Sequence, residues 1–80
     1  MKHFVIVNDW ALDYECGITI LGVAHTLEVA KEIFNKSLAE ERQYAEDHGW
    51  EVYDDSETVF DAGDSGRYIH NHTNLYIQMV

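Results

Sequence analysis

The apolar positions of the chain follow two rhythms, and the change from one to the other marks out its elements. Phe4, Val5, Ile6 and Val7 are consecutive, as in a strand covered on both faces. The next segment, DWALDYEC (9–16), supplies polar turn residues, although Trp10, Leu12 and Tyr14 alternate through it. Residues 17–24, GITILGVA, form a second apolar run rich in β-branched side chains. The two runs predict a hairpin with a longish connection.

From Thr26 the period lengthens. Leu27, Ala30, Phe34, Leu38, Glu41 and Ala45 keep the i, i+3, i+4 spacing of a helix, with Ile33 and Tyr44 flanking the stripe. Thr26 suits an N-cap, and Glu28 lies where the helix dipole favours an acid. Gly49 suits the left-handed residue that closes a helix. Glu32 with Lys36, and Arg42 with Glu46, stand four apart and are expected to pair along it, for roughly 0.2–0.5 kcal/mol each.

Downstream the pattern weakens. Trp50–Tyr53 (WEVY) either begins a short strand or packs its aromatics beneath the helix end. Thr58, Val59 and Phe60 are strand-like. Asp61–Gly66 reads as a turn, Arg67 as the opening of the return strand and a partner for Asp61 or Asp64. On the last stretch Ile69, Leu75, Ile77 and Met79 share one parity, while Tyr68, His70, His72, Tyr76 and Gln78 share the other. The expected architecture is α+β in the order β-β-α-β-β, one antiparallel sheet with a single long helix packed on one face. All of 1–80 reads as a single domain, without repeats, linkers or proline.

Charge changes this picture most. Fifteen acids against five bases give a net charge of −10. That field repels nucleic-acid phosphates and anionic lipid, so direct contact with either is not expected. It suits a partner protein with a basic surface, or serves solubility alone. No segment approaches membrane-spanning length, and the four-residue apolar run before Asn8 is too short for a signal peptide. With one cysteine, Cys16, the chain has no internal disulfide, which suggests a reducing cytoplasm. Cys16 follows Glu15, a neighbour that discourages the thiolate, so it reads as buried or inert.

The segments ILGVAHTLEVAKEIFNK (20–36) and YDDSETVFDAG (53–63) resemble a group of short acidic uncharacterised proteins from phages and conjugative elements of Firmicutes. The resemblance covers most of the chain and implies a bacterial cytosolic accessory protein. It brings no catalytic residues with it.

Two strings in the last third invite a chemical reading. GDSG, Gly63–Gly66, matches the serine neighbourhood of trypsin-like proteases. That machinery, however, needs two barrels, with a histidine and an aspartate from separate regions ahead of the serine; four turn-tolerant residues explain the string. HNH, His70–His72, shares only a name with a nuclease class whose residues are dispersed over a ββα metal element. A metal site is a more specific alternative: His70 and His72 at strand spacing, joined by Asp61 or Asp64 from the acidic loop. Against it stands a solvated outer face carrying Tyr68, His70, His72, Tyr76 and Gln78. No glycine-rich phosphate loop occurs and no cofactor is expected.

The leading expectation is therefore a non-enzymatic protein-binding or accessory module. Its candidate contact residues are Trp50, Tyr53, Asp54, Asp55, Glu57, Tyr68 and Tyr76, aromatics set among acids and suited to a basic partner. Alternatives are a nucleic-acid mimic that inhibits a DNA-binding protein, and the His70/His72 metal protein. A homodimer through an open sheet face or edge is also compatible with the pattern.

Overall fold

The helix begins and ends where its caps dictate. In the computed structural model, which describes residues 2–12, 15–64 and 71–80, α1 spans Leu27–Asp47. Thr26 is extended at the N-cap, and its Oγ1 accepts the Val29 N–H at 3.3 Å. At the other end Gly49 has φ 67°. Its N–H donates to the Glu46 carbonyl, and the Trp50 N–H donates to the Ala45 carbonyl. This is a Schellman closure, and it throws Trp50 back against the last helical turn.

Five strands form one antiparallel sheet: β1 (Phe4–Leu12), β2 (Glu15–Ala24), β3 (Glu51–Asp55), β4 (Val59–Gly63) and β5 (His72–Met79). Their spatial order is β2-β1-β5-β4-β3. The C-terminal strand thus sits between β1 and β4, and it joins the two sequence-local hairpins into one sheet. The expected class and helix placement hold, with three refinements. WEVY does lead into a strand, β3, so the strands number five. β1 runs on through Trp10 to Leu12 rather than turning at Asp9. Asp61, Ala62 and Gly63 belong to β4, not to a turn, and the Asp64 N–H still donates to the Asn71 carbonyl at 2.8 Å. Arg67 and its expected pairing lie outside the described residues.

The helix covers one face of the sheet only. Ala30, Phe34, Leu38 and Ala45 are buried against Ile6, Ala24, Phe60, Ala62 and Leu75. The small residues of β2 set the approach: a Cβ on Gly22 would lie 3.1 Å from Ile33 Cδ1. Leu27, placed in the stripe by its spacing, is exposed in the first turn. The in-helix ion pair expected for Arg42 gives way to a longer reach, a bidentate bond to Asp55 of β3. Lys31 likewise bonds Glu57 at 3.0 Å.

On the opposite face Val7 is only 7% exposed, although it is outside the core cluster. Its pairing neighbours Ile20 and Tyr76 flank it on the two adjacent strands. β1 is therefore buried on its helix side and half-shielded on its open side, short of the two-sided cover its apolar run suggested. Beside it, Ile18, Ile20 and Val23 of β2 are exposed.

Candidate binding site

Alternation places Asn8, Trp10 and Leu12 of β1 on the helix side of the sheet, beyond the apolar core. Asn8 pairs with Leu75, and Trp10 with Thr73. Glu41 projects toward them from the helix stripe, between Leu38 and Ala45. The three polar residues close a ring. Asn8 Nδ2 donates to Glu41 Oε1 at 3.0 Å. Thr73 Oγ1 lies 2.8 Å from Asn8 Oδ1 and 3.1 Å from Glu41 Oε2, and its single proton serves both acceptors. Thr73 is 3% exposed and is the buried polar residue of the described core.

Above this ring is a pocket of about 320 Å³, walled by Trp10, Tyr44 and Trp50. Each wall is fixed by a separate local cause. Trp10 lies across Gly17 of β2, where a Cβ would stand 3.0 Å from the indole. Its Nε1–H donates to Thr19 Oγ1 at 3.1 Å. Trp50 is held by the Schellman closure and meets the Tyr44 ring edge-on at 5.1 Å. His48 stacks on Tyr44 at 3.9 Å and lies 5.9 Å from the Trp50 ring. Its Nδ1 is 2.8 Å from the Tyr44 carbonyl, an acceptor, so Nδ1 carries the proton. Glu41 supplies the negative charge at the floor, and no lysine or arginine lies among the described residues lining the pocket.

Of the expected contact residues that are described, Trp50 alone lines this pocket. Asp55 and Glu57 turn to the helix side and are neutralised by Arg42 and Lys31. Tyr53, Asp54 and Tyr76 lie on the open face, and Tyr68 is outside the described residues. The six described residues do not form one patch. Glu41, Asn8 and Thr73 were missed. Their signal was available as polar residues at inward-facing positions, Glu41 most plainly because it interrupts an apolar helix stripe.

The expected metal ligands are His70, His72, Asp61 and Asp64. His70 lies outside the described residues. His72 and Asp61 share the open face, with His72 Nε2 3.9 Å from Asp9 Oδ1. No three histidine, cysteine or acidic side chains among the described residues gather as a metal site. Asp61 instead belongs to a cross-strand row Asp9, Asn74, Asp61, Asp54. Asp54 stands directly opposite Asp61, a like-charge pair that is destabilising. The neutral amide of Asn74 separates Asp61 from Asp9, although its Oδ1 is buried without a partner.

Gly63, the first residue of GDSG, has a structural reason. A Cβ there would meet the Asn71 carbonyl at 2.9 Å and the Tyr53 ring at 3.4 Å. Ser65 and Gly66 are outside the described residues. Cys16 is a free cysteine and is exposed, which removes burial from the two expected alternatives, buried or inert. Among the described residues no helix is long and apolar enough to cross a membrane.

The chain matches no known protein family, no curated protein and no solved structure.

Proposed function

We propose that the protein is a small non-enzymatic binding module that engages a protein partner with a basic surface, through the end of the molecule where Trp10, Tyr44 and Trp50 surround Glu41. The pocket carries this reading: three aromatic walls and one carboxylate, on a chain of net charge −10. Buried aromatics make the large contributions at interfaces, while the surrounding acids steer a basic partner and speed its arrival. Acids are spread over the helix exterior, β3 and the open face. That distribution favours a local pocket over a phosphate-like track of the kind a nucleic-acid mimic presents.

The immobilised protein is expected to retain a basic protein stoichiometrically from a bacterial cytosolic extract, to release it at high salt, and to lose it on Trp50→Ala. Retention of the same protein by the Trp50→Ala variant would sink the reading.

A second reading concerns self-association, and one observation favours it. The two edges of the sheet differ: β3 carries Glu51, Asp54 and Asp55, whereas residues 16–24 of β2 bear no charge. Acidic edges discourage strand pairing; long neutral apolar ones invite it. We propose that β2 pairs with β2 of a second copy about a two-fold axis. Light scattering across a concentration series is expected to show a dimer that Ile20→Lys converts to monomer. A wild-type chain that is monomeric at every concentration excludes it.

A further inference from the structure

We infer that the pocket above Glu41 accepts the alkylammonium end of a lysine side chain presented by the partner, an assignment that rests on the binding-module reading and narrows it. The ligand's charge follows from the floor. Glu41 spends one acceptor site of each oxygen on Asn8 and Thr73, and a carboxylate has about four such sites. An anionic ligand would meet this carboxylate with no lysine or arginine among the described lining residues, and the His72 imidazole at the rim is turned to Asp9 on the open face. A neutral apolar ligand would strip water from it and return nothing. A cation satisfies the free acceptor sites and the faces of Trp10, Tyr44 and Trp50 together.

Preorganisation supports the same assignment. Gly17 and Thr19 seat Trp10, the Gly49 closure seats Trp50, and Asn8 with Thr73 orient Glu41. None of these groups has to be ordered by the ligand, so its binding carries little conformational cost. Lysine fits better than arginine. With one bond already on each Glu41 oxygen, a compact ammonium can rotate its three N–H donors toward whichever site is free. A guanidinium fork instead needs both oxygens in one plane. The tetramethylene stem of lysine then lies along the apolar rim at Leu12.

The two tryptophans of the chain, Trp10 and Trp50, both line the pocket, so intrinsic fluorescence reports it directly. The full chain is titrated at constant ionic strength with N-acetyl-lysine methylamide, and with its ε-trimethyl, ε-acetyl and arginine counterparts. Saturable fluorescence changes are expected with the lysine and ε-trimethyl probes, and none with the ε-acetyl probe. Glu41→Gln keeps the hydrogen-bonding shape of the floor and removes its charge; it is expected to weaken the lysine probe about tenfold, as loss of a charge-assisted bond does, with an unchanged circular dichroism spectrum. Equal binding of the ε-acetyl probe, stronger binding of the arginine probe, an unaffected Glu41→Gln variant, or no response to any cationic probe overturns the assignment. If the probes fail while Trp50→Ala still releases the captured basic protein, only the lysine assignment falls. If both fail, the binding-module reading falls with it.

Discussion

Phe34→Ala is expected to remove most of the stability of the fold. Phe34 is fully buried at the centre of α1, with Ile6, Phe60 and Leu75 as the other large fully buried side chains. Truncating a buried phenylalanine costs about 3–5 kcal/mol, through lost transfer energy and the cavity left behind. An 80-residue domain has about 4–12 kcal/mol in total, and this one has few large core side chains with which to fill the gap. Urea unfolding followed by circular dichroism and by tryptophan fluorescence should show a large fall in midpoint, or a chain already unfolded in buffer. Val7→Ala serves as the contrast. Val7 is nearly as buried, but only by its strand neighbours on the open face, where the surroundings can relax and water can enter. A Phe34→Ala midpoint no lower than that of Val7→Ala would mean that the helix–sheet interface is not the main source of stability.

The same helix shows what the sequence made legible. Its apolar spacing, Thr26 and Gly49 are local signals, and each acts within one or two turns of where it is read. The stripe even contained Glu41, the residue on which the candidate site turns. Its role was hidden because the partners that make it meaningful, Asn8 and Thr73, lie 33 and 32 residues away. β3 was readable only as one of two options, because every residue of Glu51–Asp55 is exposed and none alternates. The segment Asp61–Gly63 has the composition of a turn. It is strand because it pairs with β5, where Ala62 is buried beneath the helix and Gly63 leaves room for the Asn71 carbonyl. The insertion of β5 between β1 and β4 is a long-range pairing that no local pattern encodes. The aromatic inventory was visible in the sequence, but its division was not: Trp10, Tyr44 and Trp50 converge on one pocket, while Tyr53 and Tyr76 face the other way.

The polar ring of Asn8, Glu41 and Thr73 gives the second large effect, and it distinguishes a functional floor from a structural one. Glu41→Leu alone removes the acceptor of Asn8 Nδ2 and leaves that donor stranded beside a new apolar side chain, while Thr73 keeps Asn8 Oδ1 as its acceptor. Such an orphaned group costs about 1–3 kcal/mol, toward the lower part of that range here because Glu41 is partly exposed and water can reach it. Adding Asn8→Leu and Thr73→Val removes the orphan itself, and apolar replacement of a whole buried polar cluster is often neutral or stabilising. The triple variant is therefore expected to recover the loss and to equal or exceed the wild type in urea midpoint, a strongly non-additive result for three residues in direct contact. Its tryptophans should remain in place, yet the lysine probe should no longer change their fluorescence. Stability regained with binding lost would show that the polar floor is kept at the expense of core packing because a ligand needs it. A triple variant less stable than Glu41→Leu would show the reverse: the ring would then be holding helix, β1 and β5 together, and its charge would need no ligand to explain it.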